Sequence, residues 1–268
     1  MNNLLDDEIR KQVRARYGEI GEMSSSGCCC SGSTSSCCGD ANHSEEISQK
    51  IGYSSKEMRS APEDANLGLG CGNPLEIAKL EEGETVLDLG SGGGFDAFLA
   101  AEKVGNTGRV IGVDMTPKMI DRARMNADKG DYVNVEFRLG EIENLPIKDN
   151  FVDVIISNCV INLSPEKQRV FAEAFRVLKK GGRLAISDVL AIAPIPAELK
   201  RDGDRYSACI SGAEPIESIE EMLTRAGFED IHITVKKNSR EIVEEWDSDF
   251  PVAEYIASAT IQAKKPNE

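Results

Sequence analysis

Histidine is nearly missing from this chain of 268 residues: His43 and His232 are the only two. Neither is close in sequence to Cys71, Cys159 or Cys209, and zinc sites usually show Cys-x-x-Cys pairs or added histidines, so zinc is the weaker reading of the cysteines. Basic residues are scarce as well, 31 Lys and Arg against 46 Asp and Glu, and a net charge of −15 argues against a nucleic-acid partner. Long apolar runs are absent: no segment approaches about 18 uncharged apolar residues, and Met1 to Arg10 is polar and acidic with no apolar leader core. A soluble, cytoplasmic protein without a membrane partner is expected. In that reducing compartment, eight cysteines read as ligands or redox groups in preference to structural disulfides.

The length suffices for one large core with an appended lobe, or two small domains. Leu5, Ile9, Val13 and Tyr17 recur at helical spacing and predict an amphipathic N-terminal helix ending at Gly18. Residues 23–44 turn to Ser, Gly and Cys, and predict a mobile loop carrying Cys28, Cys29, Cys30, Cys37 and Cys38. From Val86 onward, strands near 85–89, 109–113, 134–139, 152–157 and 183–189 alternate with helices near 95–103, 117–128 and 165–179, the pattern of a parallel sheet with crossover helices. A helix over 217–226 and strands near 230–236 and 256–264 complete it as a hairpin-like edge, while 191–216 forms an insertion over the cleft. The expected organisation is 1–70 as helix, cysteine-rich loop and lid; 71–190 as cofactor domain; and 191–268 as substrate lobe and final strands.

Val86-Leu87-Asp88-Leu89-Gly90-Ser91-Gly92-Gly93-Gly94 is an apolar strand entering a glycine turn, whose backbone can approach a ligand closely. The dinucleotide fingerprint wants a small residue where Phe95 stands, whereas GxGxG preceded by Asp88 and followed by the strand-end acid Asp114 suits the ribose of S-adenosylmethionine. Glu141 and Ile142 after the third strand, and Asn158 after the fourth, share the crevice with Gly90, Gly92 and Asp114. Together with "FVDVIISN" and "EAFRVLKKGGRL", these segments resemble the class I S-adenosylmethionine-dependent methyltransferases over roughly 80–190. The resemblance implies an α/β, doubly wound, Rossmann-like sheet. It also implies that Asp88 and Gly90 lie near the methionine moiety, Asp114 holds the ribose, Met115 packs on adenine, and Glu141 with Ile142 meets its edge and face.

The acceptor has to be read from the cysteines. Cys71 in "LGLGCGNP", Cys159 in "SNCVINL" at the carboxyl end of the fourth strand, and Cys209 in "RYSACISGA" stand apart from the Ser-rich loop on three segments that can converge near a transferable methyl. A soft trivalent centre calls for several thiolates. Arsenite takes three sulfurs in a pyramid and keeps a lone pair open to attack a methyl group. These strings, with "DLGSGGGFD" and "GVDMTPKMI", resemble the arsenite methyltransferases along the whole chain. That resemblance implies Cys159 and Cys209 as the main arsenic ligands, with Cys71 as third thiol or redox partner, and arsenic as substrate, not structural metal. It implies a thiol reductant such as glutathione or thioredoxin, and thiols of lowered pKa that exchange onto arsenite. Asp188, placed after the fifth strand, is expected to orient groups at the cleft mouth or to cap the strand. The alternatives are a quinone-like C- or O-methyltransferase, which leaves the cysteines unexplained, and a non-catalytic metalloid binder, which needs no cofactor turn.

Overall fold

A computed structural model describes residues 2–22, 41–196, 205–206, 208–244, 246–247 and 249–268. Cys28, Cys29, Cys30, Cys37 and Cys38 lie outside the described residues. Strands β1 (Thr85–Leu89), β2 (Arg109–Asp114), β3 (Val135–Leu139), β4 (Val152–Asn158), β5 (Leu178–Ala191), β6 (Glu229–Val235) and β7 (Ile256–Lys264) form a single sheet in the order β3-β2-β1-β4-β5-β7-β6. The first five run parallel, and β7 is inserted antiparallel between β5 and β6. This is the doubly wound α/β sheet that the strand–helix alternation predicts.

The period of two in each apolar strand divides the core between the faces. Val86, Val110, Val154, Ile156 and Ala185 pack on one side with Phe98 of α5 (Phe95–Val104) and Ile120 of α6 (Pro117–Lys129). Leu87, Ile111, Ile155, Leu184 and Ile186 pack on the other with Phe171 of α7 (Lys167–Val177) and Leu223 of α8 (Ile216–Ala226). Crossovers therefore leave β1 and β4 toward opposite faces, and the crevice opens between their carboxyl ends.

The N-terminal helix α1 (Asn2–Glu22) runs past Gly18, where the sequence predicts its end. Docking on α6 carries it on: Gly21 sits against Lys118 and Met119, Arg122 donates to the Ile20 carbonyl at 3.5 Å, and Lys118 pairs with Glu22 at 2.9 Å. The predicted loop 23–44 is cut short by α2 (Ala41–Lys50), which is followed by α3 (Ser55–Ser60), closed at its start by a Ser54–Glu57 capping box, and by α4 (Leu75–Ala78). A short α9 (Ser239–Val243) packs on β7. No helix among the described residues is long and apolar enough to cross a membrane.

Candidate active site

The crevice holds about 1070 Å³ of space, part of it open to solvent, and Asp88, Gly90, Gly92, Asp114, Met115, Ile142, Asn158 and Cys159 all line it. Gly90 and Gly92 take φ of +66° and +50°, the left-handed region, and a Cβ at Gly92 would meet nothing within 4 Å. The turn is thus open toward the crevice. Asp114 ties it to β2, because its carboxylate accepts the Gly92 N–H at 3.0 Å and the Thr116 N–H at 2.8 Å. The Thr116 hydroxyl also hydrogen-bonds this carboxylate, which leaves part of its acceptor capacity for a further donor.

A buried polar hub stands beside the turn. The two N–H groups of Asn158 Nδ2 serve three acceptors, the Gly72 carbonyl at 2.7 Å, Tyr53 Oη at 3.0 Å and Asp96 at 3.1 Å, so one of them is shared, while its Oδ1 accepts the Cys71 N–H at 3.0 Å. Tyr53 in turn donates to Asp96. Gly70 has to be glycine here, since a Cβ would come within 2.6 Å of the Asn158 amide. Burial raises Asp96 to about 6 despite its hydrogen bonds from Tyr53 and Asn158, and burial also pushes Asp88 well up and Asp114 up. Acids that bind protons more tightly when folded cost the folded state stability as pH rises from about 4 through about 6. Glu57 and Glu173, lowered from 4.5, act in the opposite sense and below that window. The ligand-free protein is therefore expected to melt a few degrees higher at pH 5.5 than at pH 7.5, roughly the shift of about 1 kcal/mol in a chain of this size. A flat or inverted calorimetric profile over that range contradicts the assignment.

Two of the three predicted thiols, Cys71 and Cys159, come together, and Cys209 lies next to Cys159 but outside that close group. Cys71, Cys159 and Cys209 are all buried and unpaired in disulfides. Sulfur atoms of Cys71 and Cys159 and a carboxylate oxygen of Asp188 lie within 4.8 Å of one another, and the Cys209 thiol donates to the Cys159 carbonyl at 3.1 Å. Of the three, Cys159 alone is on the crevice wall, with Cys71 and Cys209 packed beside it in the same core. Cys159 and Cys209 both adopt left-handed backbone, φ +58° and +64°, a conformation costing a non-glycine residue about 1–2 kcal/mol.

Cys71 and Cys159 are not of lowered pKa. Sharing hydrogen bonds with Cys209 and then Cys71, together with burial, pushes Cys159 well up, and burial pushes Cys71 up. A thiolate is disfavoured where no solvent and no adjacent cation compensates it. Lys236 faces Cys71 and Lys167 faces Asp188 and Cys209, and burial lowers both lysines. Asp188 lies inside β5, not after it, and accepts N–H groups of Val189 at 2.8 Å and Ile161 at 2.9 Å, which pins the turn that follows Cys159. Burial raises it to about 6.

A methyltransferase-domain family model matches residues 80–243. An arsenite methyltransferase of Halobacterium salinarum is 49% identical over 97% of this chain and 67% of its own length. The human arsenite methyltransferase is 33% identical over 85% of this chain and 60% of its own length. The crystal structure of an arsenic(III) S-adenosylmethionine methyltransferase from Chlamydomonas reinhardtii superposes with a TM-score of 0.62 at 32% identity, covering 83% of this chain and 74% of that one. This chain belongs to the arsenite methyltransferases. It spans about two thirds of the first of these relatives and less of the human one.

Within that family frame, the crevice fits S-adenosylmethionine. A buried Ser91 hydroxyl without a protein partner lies on the wall as a donor for a polar ligand, and the uncrowded Gly92 position lets such a ligand approach the backbone closely. Met115 and Ile142 supply apolar wall. Glu141 does not line the crevice: a tight turn bridging Glu141 and Asn144 leaves its carboxylate against Arg14 of α1, at 3.0 Å. Glu143 lines the wall in its place, buried against the Ser164 hydroxyl at 2.6 Å and Arg10 at 3.5 Å. Tyr53, Asp96 and Tyr17 also line the crevice without having been singled out from the sequence. For Asp96 a signal existed, an acid in the first turn of the helix that leaves the glycine turn. Tyr53 carried none.

Proposed function

We propose that this arsenite methyltransferase moves methyl groups from S-adenosylmethionine to trivalent arsenic held by Cys71, Cys159 and Cys209. The observation that carries the reading is that the buried Cys71 and Cys159 thiols, from distant segments, lie together, with Cys209 hydrogen-bonded to the Cys159 carbonyl beside them and Cys159 on the wall of the cofactor crevice. Loading does not need free thiolates. Each arsenic–oxygen bond of arsenite is exchanged for an arsenic–sulfur bond, and the thiol proton leaves on the departing hydroxide as water, three waters for three sulfurs. Protonated cysteines of raised pKa are competent for this, and soft sulfur displaces oxygen from a soft centre.

When bound, S-adenosylmethionine supplies a methyl group on a positively charged sulfur. The role of the chain is to hold the arsenic lone pair toward that methyl in a site from which water is excluded, so that orientation is settled before reaction. Asp114 and the Gly92 turn fix the adenosine side, and Asn158 fixes the Cys71 segment against it. As the carbon–arsenic bond forms, the carbon–sulfur electrons stay on the donor sulfur, and arsenic is formally oxidised by two electrons. A pair of thiols going to a disulfide returns them, and an external thiol such as glutathione or thioredoxin regenerates the pair. A reducing compartment such as the cytoplasm would keep these thiols in the reduced form.

Incubation with methyl-labelled S-adenosylmethionine, arsenite and a thiol, followed by chromatography of arsenic species, is expected to show label on arsenic. Label absent from arsenic but present on a quinone overturns the reading. Cys28, Cys29, Cys30, Cys37 and Cys38 are assigned to metalloid capture or thiol relay, because the sequence puts five thiols in one short segment. Replacing all five by Ser is expected to slow turnover at low arsenite and limiting reductant, while a preformed arsenic–thiol complex with abundant reductant is still methylated. Wild-type rates under both conditions would reduce the segment to a linker.

A further inference from the structure

Tyr17 is the side chain at the junction between the two halves of the site. It lines the crevice together with Asp114, Met115 and Cys159, and packs on the core cluster that contains all three thiols. Its phenol is within electrostatic reach of Cys209 and Cys159 on the acceptor side, Asp114 on the donor side, and Arg16 of its own helix. Its placement does not depend on a ligand. The helix α1 is fastened on both sides of it, through Arg10 to Glu143 and Glu166 and Arg14 to Glu141 before it, and through Ile20 to Arg122 and Glu22 to Lys118 after it.

We propose that the Tyr17 ring recognises the positive charge on the donor sulfur, so that the protein holds S-adenosylmethionine more tightly than the neutral thioether left after transfer. The inference rests on the reading of the donor as S-adenosylmethionine. The face of an aromatic ring is negative and attracts a poorly hydrated cation within about 6 Å of its centre. The transferable methyl has to lie between the adenosine side at Asp114 and the thiol at Cys159, and Tyr17 lines the same crevice as both. The other aromatics on the wall are committed elsewhere. Tyr53 and Phe95 pair edge-to-face at 5.0 Å beside the glycine turn, and the Tyr53 hydroxyl is engaged by Asp96 and Asn158. Loss of the sulfur's charge on transfer removes the attraction at the moment the product has to leave.

The test is calorimetric titration of the wild-type, Tyr17→Phe and Tyr17→Leu proteins with S-adenosylmethionine and with S-adenosylhomocysteine. The expected result is that Tyr17→Phe keeps the preference for the charged ligand, whereas Tyr17→Leu loses about tenfold in affinity for it and stays within about twofold for the thioether. Phenylalanines of increasing fluorination placed at position 17 keep the ring's shape while weakening its negative face, so the charged ligand alone is expected to weaken stepwise. Equal weakening of both ligands in Tyr17→Leu, or no trend across the fluorinated series, overturns the proposal and leaves Tyr17 as wall. A wild-type protein that binds neither ligand overturns the reading of the donor itself.

Discussion

Serine at Cys159 or at Cys209 is expected to abolish arsenite methylation while S-adenosylmethionine affinity stays within about threefold. The exchange removes one atom's chemistry and little else. Both residues are buried, both already sit in left-handed backbone that serine tolerates no worse, and neither contacts the glycine turn or Asp114 by any hydrogen bond among the described residues. A hydroxyl is a poor ligand for a soft centre. Loss of a residue that merely supports a ligand commonly costs about 10–100-fold, and loss of the ligand itself is expected to exceed that. The measurement is initial rate of methylarsenic formation beside calorimetric affinity for the donor. A variant that methylates arsenite at the wild-type rate removes that cysteine from the ligand set. A variant that loses donor affinity in parallel places the cysteine in the cofactor site.

Asp114→Asn carries the second large effect. The carboxylate holds Gly92 and Thr116 through backbone N–H groups, accepts the Thr116 hydroxyl as well, and keeps part of its acceptor capacity for a ligand. An amide retains an acceptor for one of these donors but turns its N–H₂ toward the other, setting donor against donor. It also gives up half of the acceptor pair available to a ribose. A lost charge-assisted hydrogen bond, with a buried donor left unsatisfied, costs about 1–3 kcal/mol, so donor affinity is expected to fall about 5- to 150-fold. Arsenite binding, followed by the thiol absorbance change, is expected to persist. Unchanged donor affinity would mean that the acid at the end of β2 serves only to brace the turn.

Local periodicity made the sheet legible. Apolar runs such as Val86-Leu87 and Val110-Ile111 alternate with amphipathic helices, and the alternation carries the topology because parallel strands need crossovers. Cys159 and Cys209 could be placed near the crevice from sequence because they follow the carboxyl ends of β4 and β5, whereas Cys71 precedes β1 and is held there by the hydrogen bond from its N–H to Asn158. The polar hub was not. Asn158 and Tyr53 meet across 105 positions of sequence and Tyr53 and Asp96 across 43, and no local pattern marks such a contact. Thiol pKa was misjudged for a related reason. It depends on burial and on neighbouring sulfurs, which exist only once the chain has folded. Gly18 reads locally as a helix end, yet the α1–α6 contact outweighs the propensity of one glycine, a matter of about 1 kcal/mol. Glu141 was read from its place after β3, and its partner Arg14 lies 127 residues away.

X-ray absorption at the arsenic edge, on the protein loaded with one equivalent of arsenite under reducing conditions, tests the central claim most directly. Three sulfur neighbours and no oxygen are expected for the wild-type protein, falling to two sulfurs and one oxygen in Cys71→Ser, Cys159→Ser or Cys209→Ser taken singly. A wild-type spectrum with oxygen in the first shell, or one unchanged when Cys71 is replaced, contradicts a site in which these three thiols hold the arsenic.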